Sequence, residues 1–174
     1  MKNQYGSFKT PSSGNLAAIK LVHLYGYVSC ASTLKFSWTY WGCNFPCDPK
    51  WRSRVGVAIT NSTNDLLLPT SHFLITGETM WYRIPGYHSL SPELVLSFFS
   101  NPHSMSSGEE LRLWYGEDLL DSTESDNDGK TCCDVYALYV WSGFLCQLLN
   151  FNKGLNKVML EFQWEAYQKR CIKF

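Results

Sequence analysis

Glu110-Leu111-Arg112-Leu113-Trp114-Tyr115 and, further on, Val135-Tyr136-Ala137-Leu138-Tyr139-Val140 decide the fold class. In the first stretch Leu111, Leu113 and Tyr115 recur with period two, while Arg112 and Trp114 share the opposite face, the pattern of a half-buried strand. In the second, Val135, Ala137 and Tyr139 alternate with Tyr136, Leu138 and Val140, so both faces are apolar and the strand belongs at the centre of a sheet.

Working outward, further short runs rich in β-branched and aromatic residues cover Ala17–Val28, Leu34–Trp41, Arg54–Thr60, His72–Thr76, Met80–Ile84, Leu94–Ser100, Cys133–Trp141 and Lys157–Ala166. Turn chemistry separates them at Asn44–Pro49, Asn61–Asp65, Pro85-Gly86, Asn101–Gly108 and Asp121–Lys130. Short strands with turns roughly every ten residues predict an all-β fold, an antiparallel β-sandwich or jelly roll. A short C-terminal helix is expected over Phe162–Lys173, where Trp164, Tyr167 and Cys171 fall at i, i+3 and i+7. Residues 1–15 are rich in Ser, Gly, Asn and Lys and read as a flexible leading segment. No repeat or linker divides residues 16–174, which read as one domain whose stretch from 141 to 174 is the least clearly patterned.

The chain has 174 residues, of which 45% are hydrophobic, 16% aromatic and 17% charged. That composition excludes disorder, which needs low hydrophobicity and high net charge. Lys+Arg and Asp+Glu number 15 each, so the chain lacks the basic excess of a nucleic-acid-binding domain. The charges are segregated, however: from Glu109 to Asp134 nine acids face two bases, a local charge of −7. No uninterrupted apolar stretch is long enough for a membrane span.

Cysteines stand at Cys30, Cys43, Cys47, Cys132, Cys133, Cys146 and Cys171, an odd total whose pairing the sequence leaves open. Neither Cys43-x3-Cys47 nor Cys132-Cys133 has the spacing of a zinc site, and His23, His72, His88 and His103 are scattered, so disulfides of an oxidising compartment are the reading. Asn61-Ser62-Thr63 is a glycosylation acceptor in a polar turn. An extracellular, secreted protein is therefore expected, although Met1–Pro11 lacks the apolar core of a signal peptide.

The acidic stretch follows one strand directly and leads into another. Glu117, Asp118, Asp121, Glu124, Asp126 and Asp128 repel one another unless they are solvated or share a hard cation such as Ca²⁺, which takes six to eight oxygen ligands. Glu124-x-Asp126-x-Asp128-Gly129 has the oxygen spacing and glycine of an EF-hand loop, but Val135 stands where the bidentate glutamate belongs and no helices flank it. Two readings stand for this segment: a Ca²⁺ loop at the end of a β-sandwich, or a solvated acidic hairpin.

Aromatic residues on strands are either core or stacking surface for sugars. Trp81 beside the Pro85-Gly86 turn, together with Arg112, Trp114 and Tyr115 running into the acidic segment, are the candidates for a ligand-binding surface. Catalysis finds no support: there is no nucleophile elbow, P-loop, dinucleotide fingerprint or zinc-protease motif, so the protein reads as not an enzyme. A glycan-acting hydrolase would need two carboxylates facing each other across a cleft, at most about 9.5 Å apart.

The stretches Glu110–Leu119 (ELRLWYGEDL), Glu124-Ser125-Asp126-Asn127 and Cys132–Val140 (CCDVYALYV), with Leu16–Cys30 and Leu90–Phe99, resemble an extracellular module of secreted proteins in corals and other aquatic animals, including skeletal organic matrix proteins. The resemblance covers roughly residues 16–141 and implies secretion and a matrix or recognition role, with no catalytic residues to carry over. The leading expectation is thus a non-enzymatic extracellular module for adhesion, matrix assembly or mineral contact. Its partners would be matrix components, glycans or a mineral surface. The alternative is a lectin-like carbohydrate-binding module using exposed aromatics.

Overall fold

The computed structural model describes residues 4–44, 54–74, 80–98, 101–140, 164–166 and 170–173. Among them ten strands form two antiparallel sheets. The first has the order β1 (Tyr5–Lys9), β7 (Glu110–Tyr115), β3 (Val57–Asn61), β4 (Leu66–Leu68). The second runs β10 (Arg170–Lys173), β8 (Asp128–Val140), β2 (Gly14–Ser29), β5 (Glu93–Ser97), with β6 (His103–Met105) also paired to β2 and β9 (Trp164–Ala166) to β8.

The period-two pattern explains the layering. Leu111, Leu113 and Tyr115 of β7, with Phe8, Val57 and Ile59 from its neighbours, form one buried cluster with Ile19, Leu21, Leu94, Leu96, Val135, Ala137 and Tyr139 of the other sheet. Removing these apolar surfaces from water is the main favourable term holding a two-sheet fold together. The sandwich expected from the alternation is the fold observed. β8 is central, as its two apolar faces require, with β2 on one side and β9 and β10 on the other.

Several local expectations are corrected. The polar leader contains β1, in which Gly6 and Phe8 are buried and Tyr5, Ser7 and Lys9 exposed, and β2 already begins at Gly14. A side chain at Gly6 would lie 2.7 Å from the Cys171 carbonyl oxygen, so this glycine permits β1 and β10 to pass closely. The C-terminal helix is replaced, where described, by β9 and β10: Cys171 is held by a disulfide to Cys132, directly opposite on β8, and Ile172 enters the core. Leu34–Trp41 forms turns with a single bridge from Thr39 to Val28, and Ser71–Phe73 is a short 3₁₀ turn. A second disulfide joins Cys30 and Cys43, while Cys133 is a buried thiol. Cys47, Cys146 and most of Lys157–Ala166 lie outside the described residues.

Candidate functional site

β7 delivers the acidic segment. Its last residue, Tyr115, is extended, and Gly116–Leu119 closes into a single helical turn, α1, with the Leu120 amide donating to the Gly116 and Glu117 carbonyls, each at 3.2 Å. The chain then reverses through Asp121 and Thr123, both with positive φ, and Glu124–Asp126 makes a 3₁₀ turn before β8.

The described carboxylates of this segment do not form one cage. Glu117 and Asp118 are buried, at 6% and 4% exposure, whereas Asp121, Asp126 and Asp128 are exposed and the Glu124 side chain lies outside the described residues. Glu117 Oε1 accepts from Trp81 Nε1 at 3.2 Å and from Thr123 Oγ1 at 3.0 Å. Asp118 Oδ2 accepts the Gln4 backbone N–H at 2.7 Å, and Asp128 Oδ1 the Gly129 N–H at 2.7 Å. Among the described residues, no three His, Cys, Asp or Glu side chains come together as a metal-binding group.

Burial raises the Glu117 pKa, opposed by contacts with Thr123, Asn127 and Trp81, with the Asp126 charge pushing the same way as burial. The Asp118 pKa is raised too, chiefly by burial. Glu117 Oε2 and both polar atoms of Asn127 are buried without hydrogen-bond geometry to any described residue. Buried polar atoms ordinarily have a partner, so these oxygens are the hard donors a cation would meet here.

The candidate ligand-binding aromatics turn out to be packing residues, a correction to the expectation of exposed rings. Trp81 is 2% exposed, Trp114 1% and Tyr115 fully buried. Tyr115 hydroxyl donates to the Gly42 carbonyl at 3.1 Å, and Trp114 Nε1 donates to Thr60 Oγ1 at 3.0 Å. Trp114 does lie on the outer side of β7, as the alternation predicts. A second apolar layer of Ala58, Met80, Leu66, Leu74 and Leu119 covers it there. Arg112 is half-buried, paired with Glu110 at 2.7 Å, donating to Asn64 Oδ1 at 2.7 Å and lying 4.6 Å over the exposed Tyr5 ring. Asn61 sits at the tip between β3 and β4, where its Oδ1 accepts from the Thr63 N–H at 2.9 Å and the Thr63 hydroxyl at 2.8 Å.

Among the described Phe, Tyr and Trp rings the two most exposed lie elsewhere, on β2. Against β8, the register of β2 slips between His23 and Tyr25, making Leu24 an extra residue, and Gly26 follows with φ 89°. A side chain at Gly26 would lie 2.1 Å from the Lys130 carbonyl oxygen, so only glycine fits. Beyond this bulge Tyr25 and Tyr27 are about half exposed, at 50% and 49%. The His23 and Tyr40 rings stack at 3.7 Å and 14°, and Tyr27 lies 5.3 Å from Tyr40. Asp128, the last acid of that stretch, and Lys130 just beyond it stand opposite Ser29 and Tyr27 across the β2–β8 ladder. The acidic segment and this aromatic shelf therefore share one end of the sandwich. The sequence signal was His23-Leu24-Tyr25-Gly26-Tyr27, two tyrosines around a glycine within a strand, which periodicity alone counts as ordinary strand.

A cavity of about 370 Å³ lined by Pro69, Phe73, Ile84, Pro85, Tyr87, Val95, Leu96 and Ser97 shares no lining residue with these groups and is mainly apolar. It offers few of the convergent polar groups that orient a ligand.

No protein-family model matches the chain, and no curated protein matches it. Among solved structures, AJLec from the sea anemone Anthopleura japonica superimposes with a TM-score of 0.69 and 34% sequence identity, over 80% of this chain and 88% of that chain. With that identity sustained over nearly the whole of AJLec, the chain belongs to the AJLec family.

Proposed function

We propose that this protein is a secreted, non-enzymatic lectin-like module that binds glycans. The observation that carries the proposal is the kinship with AJLec, a sea anemone lectin. It favours the carbohydrate-binding alternative over matrix assembly or mineral contact as the primary activity. Adhesion or matrix assembly then follows if the bound glycan is displayed on matrix components. Two disulfides support an extracellular setting, because such bonds persist in oxidising compartments. Among the described residues no helix is long and apolar enough to cross a membrane. A glycan array probed with folded, disulfide-intact protein tests the reading. Selective binding to a family of saccharides is expected, and a blank array from well-folded protein would overturn it.

Calcium is a second element of the same proposal. The buried Glu117 Oε2 and the neighbouring Asn127 Oδ1, with Asp126 near Glu117, supply hard oxygen donors for such a cation. When bound, the ion would offset part of the repulsion within the −7 segment. Calorimetric titration with CaCl₂ in low salt checks this. Heat of binding that weakens in Asn127→Ala and Asp126→Ala supports the ion, and absence of heat in the unaltered protein removes it.

A further inference from the structure

We propose that the His23–Tyr27–Tyr40 shelf, extended by Tyr25, is a stacking subsite for the apolar face of a pyranose ring, an inference that rests on the glycan-binding reading. The shelf is built rather than incidental. Exposed aromatic area is ordinarily costly to leave in water, yet here the β2 bulge and Gly26 are flanked by two half-exposed tyrosines within three residues of the strand. Their partners are fixed. Tyr40 faces Tyr27 because Thr39 and Val28 form a reciprocal backbone bridge, with hydrogen bonds of 2.8 and 2.9 Å. Tyr40 is also anchored by its N–H to the Ser89 carbonyl at 3.0 Å. His23 is locked against Tyr40 by the 3.7 Å stack and by Nε2–H donating to the Gly26 carbonyl at 2.9 Å.

The ring positions are thus set before any ligand arrives, which reduces the ordering that binding must impose. The chemistry around the shelf fits a sugar better than an aliphatic side chain. A pyranose presents C–H groups on one face and hydroxyls around its rim. Tyrosine faces accept the first, and their phenolic groups exchange hydrogen bonds with the second. With Nε2–H committed to the Gly26 carbonyl, His23 Nδ1 is the ring nitrogen left to meet a sugar hydroxyl. Lys130, exposed and directly opposite Tyr27 on β8, adds a donor at the rim.

The test uses the full chain and its tightest array ligand, with methyl pyranosides as simple probes. Tyr27→Ala is expected to weaken binding about tenfold, on the order of one lost stacking contact. Tyr27→Phe, which keeps the ring and removes the hydroxyl, should weaken it only about two- to threefold. Tyr27 is half exposed, so both variants should keep the native circular dichroism and melting temperature. In NMR, sugar C–H protons stacked on the shelf should move upfield, and Tyr27→Ala should abolish that shift. If the unaltered protein binds glycans and Tyr27→Ala, Tyr25→Ala and Tyr40→Ala bind equally well, the subsite is wrong while the glycan reading stands. If the variants change the sedimentation coefficient but leave glycan affinity intact, the shelf joins two copies of the chain and the inference is overturned. If the unaltered protein binds no glycan, both fall together.

Discussion

Trp81 donates its indole N–H to the buried carboxylate of Glu117 at 3.2 Å, across the interior between the Met80–Ile84 stretch and the turn that ends β7. The bond explains how two residues expected at a surface are both buried: each satisfies the polar group the other cannot leave unpaired.

The pH dependence of stability follows from it. Glu117 binds its proton more tightly in the folded chain than the ordinary 4.5 of glutamic acid, because burial disfavours the charge. The folded state then holds more protons between that value and its own raised pKa. The contribution is present at lower pH and lost as pH rises through the window. The melting temperature of Glu117→Gln relative to the unaltered protein should therefore grow as pH increases from about 4.5 and then level off. A difference that does not change with pH would contradict the assignment.

Trp114 should behave as a core residue. Trp114→Ala removes a ring packed under Met80 and Leu119 and is expected to lower unfolding stability by about 3–5 kcal/mol in denaturant titration. Glycan affinity of the protein that remains folded should not change. A loss of affinity with unchanged stability would instead return Trp114 to the binding surface.

Among the described residues the cysteines divide into bonded and shielded. Cys171→Ser opens the Cys132–Cys171 loop, with a sequence separation of 39, and should cost about 2–4 kcal/mol by thermal unfolding. The Cys133 thiol is pushed up to about 12 by burial and by Asp134. Peptide mapping after iodoacetamide treatment at pH 8 should find Cys133 unmodified in the native protein and modified once it is unfolded.

Asn61 is expected to carry an N-glycan when the chain passes through a eukaryotic secretory pathway. Thr63 already hydrogen-bonds Asn61 through its hydroxyl, at 2.8 Å, and the turn projects from the β3–β4 end. Intact mass before and after enzymatic deglycosylation should show the modification, and both Asn61→Gln and Thr63→Ala should lose it.

Much of the architecture was readable from side-chain alternation. Leu111, Leu113 and Tyr115 face the core as their spacing requires, and β8 is central as its doubly apolar pattern requires. What alternation could not show is which outer faces are covered a second time. Arg112 and Trp114 share an outer face, yet Met80, remote in sequence, and Leu119, brought back by the helical turn, bury the tryptophan. The acidic residues misled for a related reason. Charge density marks repulsion, but only the fold shows that Glu117 and Asp118 turn inward on a single helical turn while Asp121, Asp126 and Asp128 remain in water. The shelf escaped notice because a bulge leaves no periodic trace. Tyr25-Gly26-Tyr27 becomes informative only when Gly26 is seen pressed against the Lys130 carbonyl. The C-terminal spacing imitated a helix, and a cross-strand disulfide at Cys171 decided for a strand.

The close passage of Gly6 beside the Cys171 carbonyl has a practical corollary for engineering. Early and late parts of the chain meet at adjoining edges of the two sheets, so a short peptide can bridge them without crossing the sandwich. A circularly permuted version opened in the exposed Asn61–Asp65 turn would retain both layers. It would place its new ends far along the chain from the β2 bulge, ready for fusion to a reporter or a second recognition unit.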